Sequence, residues 1–304
     1  MKVFVAGASG AIGRPLIAEL VRTGHSVIGL TRTEAGAKAL AKMGAEAVMA
    51  DALNQEAVET ALRQSQAEAV IDELTSLPKD PAEYAAWFAG DRKLRLEGGG
   101  FLHGAAQKFG VRRYLQQASG FFLKADGGLA DESSPLAVDA SPGISAGAQM
   151  YAQIEARLNG SAAPMEGVLL RYGFFYGPGT WYDPAGASAT DARNQQMPLI
   201  GEGEGVWSFV HIEDAARATV AALTAPAGTY NVVDDDPSAV SVWLPKFAAA
   251  MGAPPPPAIS EEVALEQAGP DAVYYQTRLS GAANTKARRV LDFQPRQLEW
   301  LAAR

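Results

Sequence analysis

Apolar positions in the first half of the chain alternate between short continuous runs and helical stripes. Val3-Phe4-Val5-Ala6 is unbroken, the mark of a strand covered on both faces. Leu16, Ile17, Leu20 and Val21 then share one face of a helix. The same order repeats: a strand over 26–30, a helix over 34–43, a strand over 47–49 ending at Asp51, a helix over 55–64 and a strand over 69–71. Residues 84–109 read as a long helix that Gly98-Gly99-Gly100 interrupts, and residues 113–117 as the next strand. This alternation predicts an α/β protein with a doubly wound parallel sheet.

The second half is less regular. Residues 124–148, rich in Gly, Ala, Ser, Pro and Asp, read as a loop ahead of a helix over 149–158. A strand over 168–172 is followed by irregular chain to about residue 205, then by a strand at 209–211 and a helix over 212–223. A strand at 230–233 and helices near 242–251 and 261–267 complete the pattern, with Pro254-Pro255-Pro256-Pro257 as a stiff spacer. The segments 118–150 and 175–206 exceed plain connections and are expected to flank a site.

Composition acts mainly by exclusion. The 304 residues are 48% hydrophobic and 20% charged, as in soluble globular domains. A net charge of −8 gives no support to nucleic-acid or anionic-membrane partners. The absence of cysteine removes disulfides, thiolate nucleophiles and cysteine metal sites, and the three histidines lack metal-ligand spacing. With no membrane-length apolar run and a first strand at the very start, the expected location is cytoplasmic.

Between the first strand and helix stands Gly7-Ala8-Ser9-Gly10-Ala11-Ile12-Gly13. A sharp turn, a phosphate against bare backbone and a helix packed close to a sheet each call for glycine. The helix start then offers N–H groups and a positive dipole end, so Gly7, Ser9, Gly10, Ala11, Ile12 and Gly13 are assigned to a dinucleotide. The next strand ends in Leu30-Thr31-Arg32-Thr33, with no carboxylate before Glu34. A carboxylate there would hold a ribose hydroxyl, whereas a guanidinium suits a 2′-phosphate. The expectation is NADP(H) over NAD(H), with Arg32 the main contact, Thr31 and Thr33 supporting, and Arg14 adding charge.

Several stretches resemble the extended, atypical branch of the short-chain dehydrogenase/reductases, the NAD-dependent epimerase/dehydratase family. They are the glycine loop, Arg112–Ser119, Leu170–Gly179, Trp207–Ala216 and Tyr230–Asp234. The resemblance implies a Rossmann domain over 1–173, rejoined by 207–233, and a smaller, partly discontinuous substrate-binding part from 174–206 and 234–304. It makes Asp51 an adenine contact, with a bland turn residue as the competing reading.

Hydride-transferring members of that family pair a tyrosine with a lysine four residues later and add a serine at a strand end. Here Ser119 and Tyr151 match, but Glu155 stands in the lysine's place. A carboxylate beside the phenol would raise its pKa. Three readings stay open: Tyr151 as a neutral proton donor in a reductase of a small carbonyl or hydroxyl compound, Glu155 as acid/base in a non-redox isomerase, lyase or cyclase, or an inert helix pair. An NADP(H)-sensing protein without catalysis is a further alternative. Asp72-Glu73 at a strand end could face the site, and His211 reads as a structural histidine. Phe174, Phe175, Tyr176, Trp181 and Tyr182 suggest an apolar or aromatic small-molecule substrate, and apolar faces over 84–109 and 149–158 offer a homodimer contact.

Overall fold

The expected alternation is present as β1 (Lys2–Ala6), α1 (Gly13–Arg22), β2 (Ser26–Thr31), α2 (Glu34–Lys42), β3 (Glu46–Met49), α3 (Gln55–Ser65), β4 (Ala69–Asp72), α4 (Tyr84–Lys93), α5 (Gly99–Lys108) and β5 (Arg113–Ser119). The structure, a computed structural model, describes residues 1–302. The second half adds α6 (Pro142–Asn159), β6 (Glu166–Tyr172), β7 (Phe174–Tyr176), α7 (Ala187–Arg193), β8 (Leu199–Ile200), β9 (Val206–Trp207), β10 (Phe209–His211), α8 (Ile212–Ala222) and β11 (Gly228–Val232). After these come β12 (Ser238–Ala239), α9 (Val240–Ala250), β13 (Ala258–Ile259), α10 (Glu261–Thr277), α11 (Thr285–Val290) and α12 (Glu299–Ala302).

Seven strands form one parallel sheet in the order β11-β6-β5-β4-β1-β2-β3. The order reverses between β1 and β4, which opens a crevice at their carboxyl ends. One face packs Val3, Val5, Ile71 and Leu170 against α1 and α8. The other packs Phe4, Val70 and Tyr114 against α3, α5 and α6. Central strands buried on both faces explain why their apolar runs do not alternate. A separate aromatic core gathers Tyr176, Tyr182, Trp207, Trp243, Phe247 and Trp300.

Four expectations need correction. The helix carrying Tyr151 begins at Pro142, inside the stretch read as loop. Proline suits the first turn, and the Asp271 carboxylate accepts the Gly143 N–H at 2.9 Å and the Ile144 N–H at 3.4 Å. That cap comes from a distant element and leaves no local trace. The stretch read as irregular to about residue 205 contains β7, α7 and β8. The helix expected to end at 267 continues to Thr277 through a kink where Gly269 takes φ 82° ahead of Pro270. The helix over 84–109 is present, but the glycine triplet does not break it: a π-helical turn over Leu94–Gly98 joins α4 to α5, and Gly99 and Gly100 belong to α5.

Candidate functional site

Each glycine of the N-terminal loop meets a steric demand. Gly7 has φ +80°, and a Cβ there would lie 2.3 Å from the Glu73 carbonyl oxygen. A Cβ on Gly13 would lie 2.3 Å from the Gly7 carbonyl oxygen, because α1 starts hard against the turn. The Gly10 N–H closes the turn onto Gly7 O at 3.0 Å. No side chain caps α1, and among the described residues no hydrogen bond engages the N–H groups of Ala11 and Ile12. Ser9, Gly10 and Ala11 are exposed and, with Arg14, Pro178 and Gly179, line a cleft of about 400 Å³. Free N–H groups at a helix start beside side-chain-free backbone fit a pyrophosphate. When bound, a nicotinamide dinucleotide would supply or accept hydride.

A second cleft, of about 390 Å³, adjoins the end of β2 and is lined by Arg32, Leu53, Ser76, Trp87, Gly90 and Leu94. Arg32 is exposed. The two flanking hydroxyls are engaged locally: Thr33 Oγ1 caps α2 by accepting the Gly36 N–H at 3.0 Å, and Thr31 Oγ1 accepts the Thr33 N–H at 3.4 Å. Asp51 Oδ1 accepts the Leu53 N–H at 3.0 Å, the geometry of an Asx turn.

At the other end of the crevice Ser119 closes β5 and is buried, its Oγ accepting the Phe121 N–H at 3.4 Å. Tyr151 is buried on α6, its ring 5.5 Å from that of Phe122. Glu155 does not face the phenol electrostatically. Its carboxylate is held by Arg171 on β6, Nε to Oε1 at 2.9 Å and Nη2 to Oε2 at 2.7 Å. The expectation that Glu155 raises the Tyr151 pKa is therefore corrected: burial raises it, Arg95 pulls it down, Asp91 and Glu73 push it up, and a hydrogen bond with Gln117 lowers it. The net direction is upward, so the phenol is neutral.

Sequence reasoning missed the cation. Arg95 is buried with its guanidinium 5.5 Å from the centre of the Tyr151 ring. The charged pair Asp91 and Arg95, one turn apart, was legible, but its burial was not. Asp72 and Glu73, named from their strand-end position, are also buried. Asp72 accepts from Tyr114 Oη at 3.0 Å, and burial raises its pKa against the pull of Arg157. Glu73 Oε1 accepts from Tyr172 Oη at 2.9 Å, and burial pushes the carboxyl up to about 8. Its Oε2 is buried without a hydrogen-bond partner.

His211 is structural, as expected: its Nδ1 accepts the Glu213 N–H at 3.2 Å and caps α8. Among the described residues no group of His, Asp or Glu is arranged to hold a metal, and no helix is long and apolar enough to cross a membrane. The aromatic run splits in two. Tyr176 and Tyr182 are core, whereas Phe174 is half-buried and stacked between Phe121 at 4.3 Å and Trp207 at 4.0 Å.

Comparison with known proteins agrees with this architecture. The sequence profile of the NAD dependent epimerase/dehydratase family matches residues 3–233. A Streptomyces protein named 3-diazoavenalumate denitrifying reductase is 38% identical over 306 residues, 99% of this chain and 98% of its own. Among solved structures, the Thermotoga maritima UDP-glucose 4-epimerase, with UDP-glucose, is 20% identical with a TM-score of 0.74, covering 99% of this chain and 95% of that one. A Stenotrophomonas maltophila UDP-glucose 4-epimerase, with NAD and formylated UDP-arabinopyranose, is 18% identical with the same TM-score and the same coverage of both chains. At such identity the structures establish the fold alone. The chain belongs to the NAD dependent epimerase/dehydratase family and is a nicotinamide-dinucleotide-dependent enzyme of the reductase/epimerase type.

Proposed function

We propose that this protein is an NADP(H)-dependent reductase of a small, conjugated or aromatic substrate, with residues 174–206 and 234–304 supplying most of the substrate side. The observation that carries the reductase reading is the bidentate Glu155–Arg171 pair, which ties up the carboxylate a non-redox acid/base mechanism would use. The reductase name of the relative at 38% identity supports the same choice. For the cofactor, the exposed guanidinium of Arg32 in the cleft beside β2, with no carboxylate before Glu34, favours a 2′-phosphate over a bare ribose hydroxyl.

Two substrate chemistries follow. With a carbonyl compound, hydride adds to carbon, the C=O electron pair moves to oxygen, and neutral Tyr151 donates the proton while Ser119 orients that oxygen. With an aryldiazonium carboxylate, of the diazo class in the relative's name, hydride adds to the ring carbon as dinitrogen leaves with the C–N bond pair, so the cationic diazonium becomes a neutral arene C–H. No oxyanion forms in the second case, so a tyrosine without its lysine is no handicap. The test is to follow NADPH absorbance with 3-diazoavenalumate and a panel of aromatic aldehydes. Oxidation of NADPH in step with product, faster than with NADH at limiting cofactor, is expected. Turnover without any net change in NADPH would overturn the reductase reading.

A further inference from the structure

Arg95 sits in the π-helical turn over Leu94–Gly98, a local widening of the helix that recurs at functional sites because it re-aims side chains. Its head is fixed from two sides: Nε donates to Asp91 Oδ2 at 2.6 Å, and Nη1 donates to Gln117 Oε1. Asp91 is in turn satisfied by the Ser76 N–H at 2.6 Å. Arg95 is only 6% exposed, yet among the described residues no hydrogen bond engages its Nη2. An oriented guanidinium edge with unused donors is matched to a carboxylate or other anionic oxygen.

The surroundings say what body that oxygen belongs to. The guanidinium lies 5.5 Å from the Tyr151 ring, and Tyr151 lies 5.5 Å from Phe122. Phe122 continues to Phe121 at 4.8 Å, and Phe121 stacks on Phe174 at 4.3 Å. Phe174 is closed on both faces, by Phe121 at 4.3 Å and Trp207 at 4.0 Å, so half-buried Phe121 is the ring at the margin of this wall. A flat conjugated molecule packs on such faces.

We propose that Arg95 binds an anionic oxygen, carboxylate or phenolate, of a planar aromatic or conjugated substrate that packs along the ring wall ending at Phe121. The assignment rests on the reading that this crevice takes a small reducible substrate. Asp91 offsets part of the positive charge and, with Gln117, fixes the direction of the remaining donors.

Calorimetry with the full chain, with and without saturating NADPH, tests this using benzoate, 4-nitrophenolate and neutral benzamide as probes. At least one anion is expected to bind the parent with NADPH present, which rules out capture at the pyrophosphate loop. Arg95→Gln should weaken that anion tenfold or more, Arg95→Lys should weaken it less, and neither should change benzamide or NADPH affinity more than twofold. Because Arg95→Gln strands Asp91, the double variant Asp91→Asn/Arg95→Gln is measured beside it and should show the same loss. Benzoate alone responding assigns a carboxylate, and 4-nitrophenolate alone a phenolate. Equal anion binding by parent and both variants, or no anion binding by the parent, overturns the proposal. Loss of NADPH binding by the parent would instead strike the cofactor reading and leave the anion result standing.

Discussion

The glycine-loop end of the crevice is made of backbone, and the Tyr151 end is made of buried side chains. At the first, Gly7 and Gly13 exclude Cβ atoms and α1 leaves its N–H groups open. At the second, two buried hydrogen-bonded groups stand side by side in the protein, Asp91–Arg95–Gln117 and Glu73–Tyr172, each joining side chains from different elements. Backbone sites tolerate almost no substitution but ask little of the rest of the chain. Side-chain sites can drift in chemistry provided every buried polar group keeps a partner. Glu155 obeys that condition, since Arg171 pairs with its carboxylate.

The sharpest way to break this contrast is Gly13→Ala. A Cβ 2.3 Å from the Gly7 carbonyl must push the loop and helix apart, at a cost of about 3 kcal/mol. Thermal melts should show that loss, and NADPH titration should show affinity falling about 100-fold. An unaffected titration would mean that the loop is not the pyrophosphate seat.

Next in size is Glu155→Gln, which strands the Arg171 guanidinium and should cost about 3 kcal/mol of stability while leaving turnover per folded molecule nearly unchanged. Denaturant titration beside an activity assay separates the two. Lost turnover with unchanged stability would restore Glu155 as the acid/base group. Tyr151→Phe is the complementary change. Reduction of an aromatic aldehyde should slow about 100-fold, with NADPH affinity kept, whereas a diazo carboxylate should be reduced almost as fast as before.

Glu73 sharpens the comparison through pH. Its carboxyl is pushed from an ordinary 4.5 to about 8, so between those values the folded state holds a proton that the unfolded state has lost. Stability from this group is complete below 4.5 and falls as pH rises toward 8, by about 1.4 kcal/mol per unit. Asp234, pushed to about 8 by burial, acts in the same direction. Burial lowers His103 to about 4 from 6.5, which opposes both only below pH 6.5. The melting temperature should therefore decline between pH 6.5 and 8, and Glu73→Gln should make that decline shallower. Smallest is Arg32→Ala, expected to weaken NADPH about tenfold and NADH not at all, as read by parallel fluorescence titrations.

The sheet and the loop were legible because they rest on local rules. An unbroken apolar run such as Val3–Ala6, followed at once by three spaced glycines and a helical stripe, points to a doubly covered strand turning tightly into a helix. The start of α6 was not legible, since Asp271, brought from α10, caps it. Nor could the sequence say that Thr31 and Thr33 turn their hydroxyls onto the β2–α2 connection. It placed Tyr151 and Glu155 one turn apart, but spacing along a helix says nothing of what the neighbouring strand presents.

By itself, then, the order of residues determined the parallel α/β sheet, the glycine turn into α1 and the one-turn spacing of Tyr151 and Glu155, because periodicity and backbone sterics act over a few residues. Only the tertiary structure decided that Arg171 neutralises Glu155 and that Arg95 provides the cation near Tyr151. Charge interactions depend on distance and burial, and both are set by elements that meet only when the chain has folded.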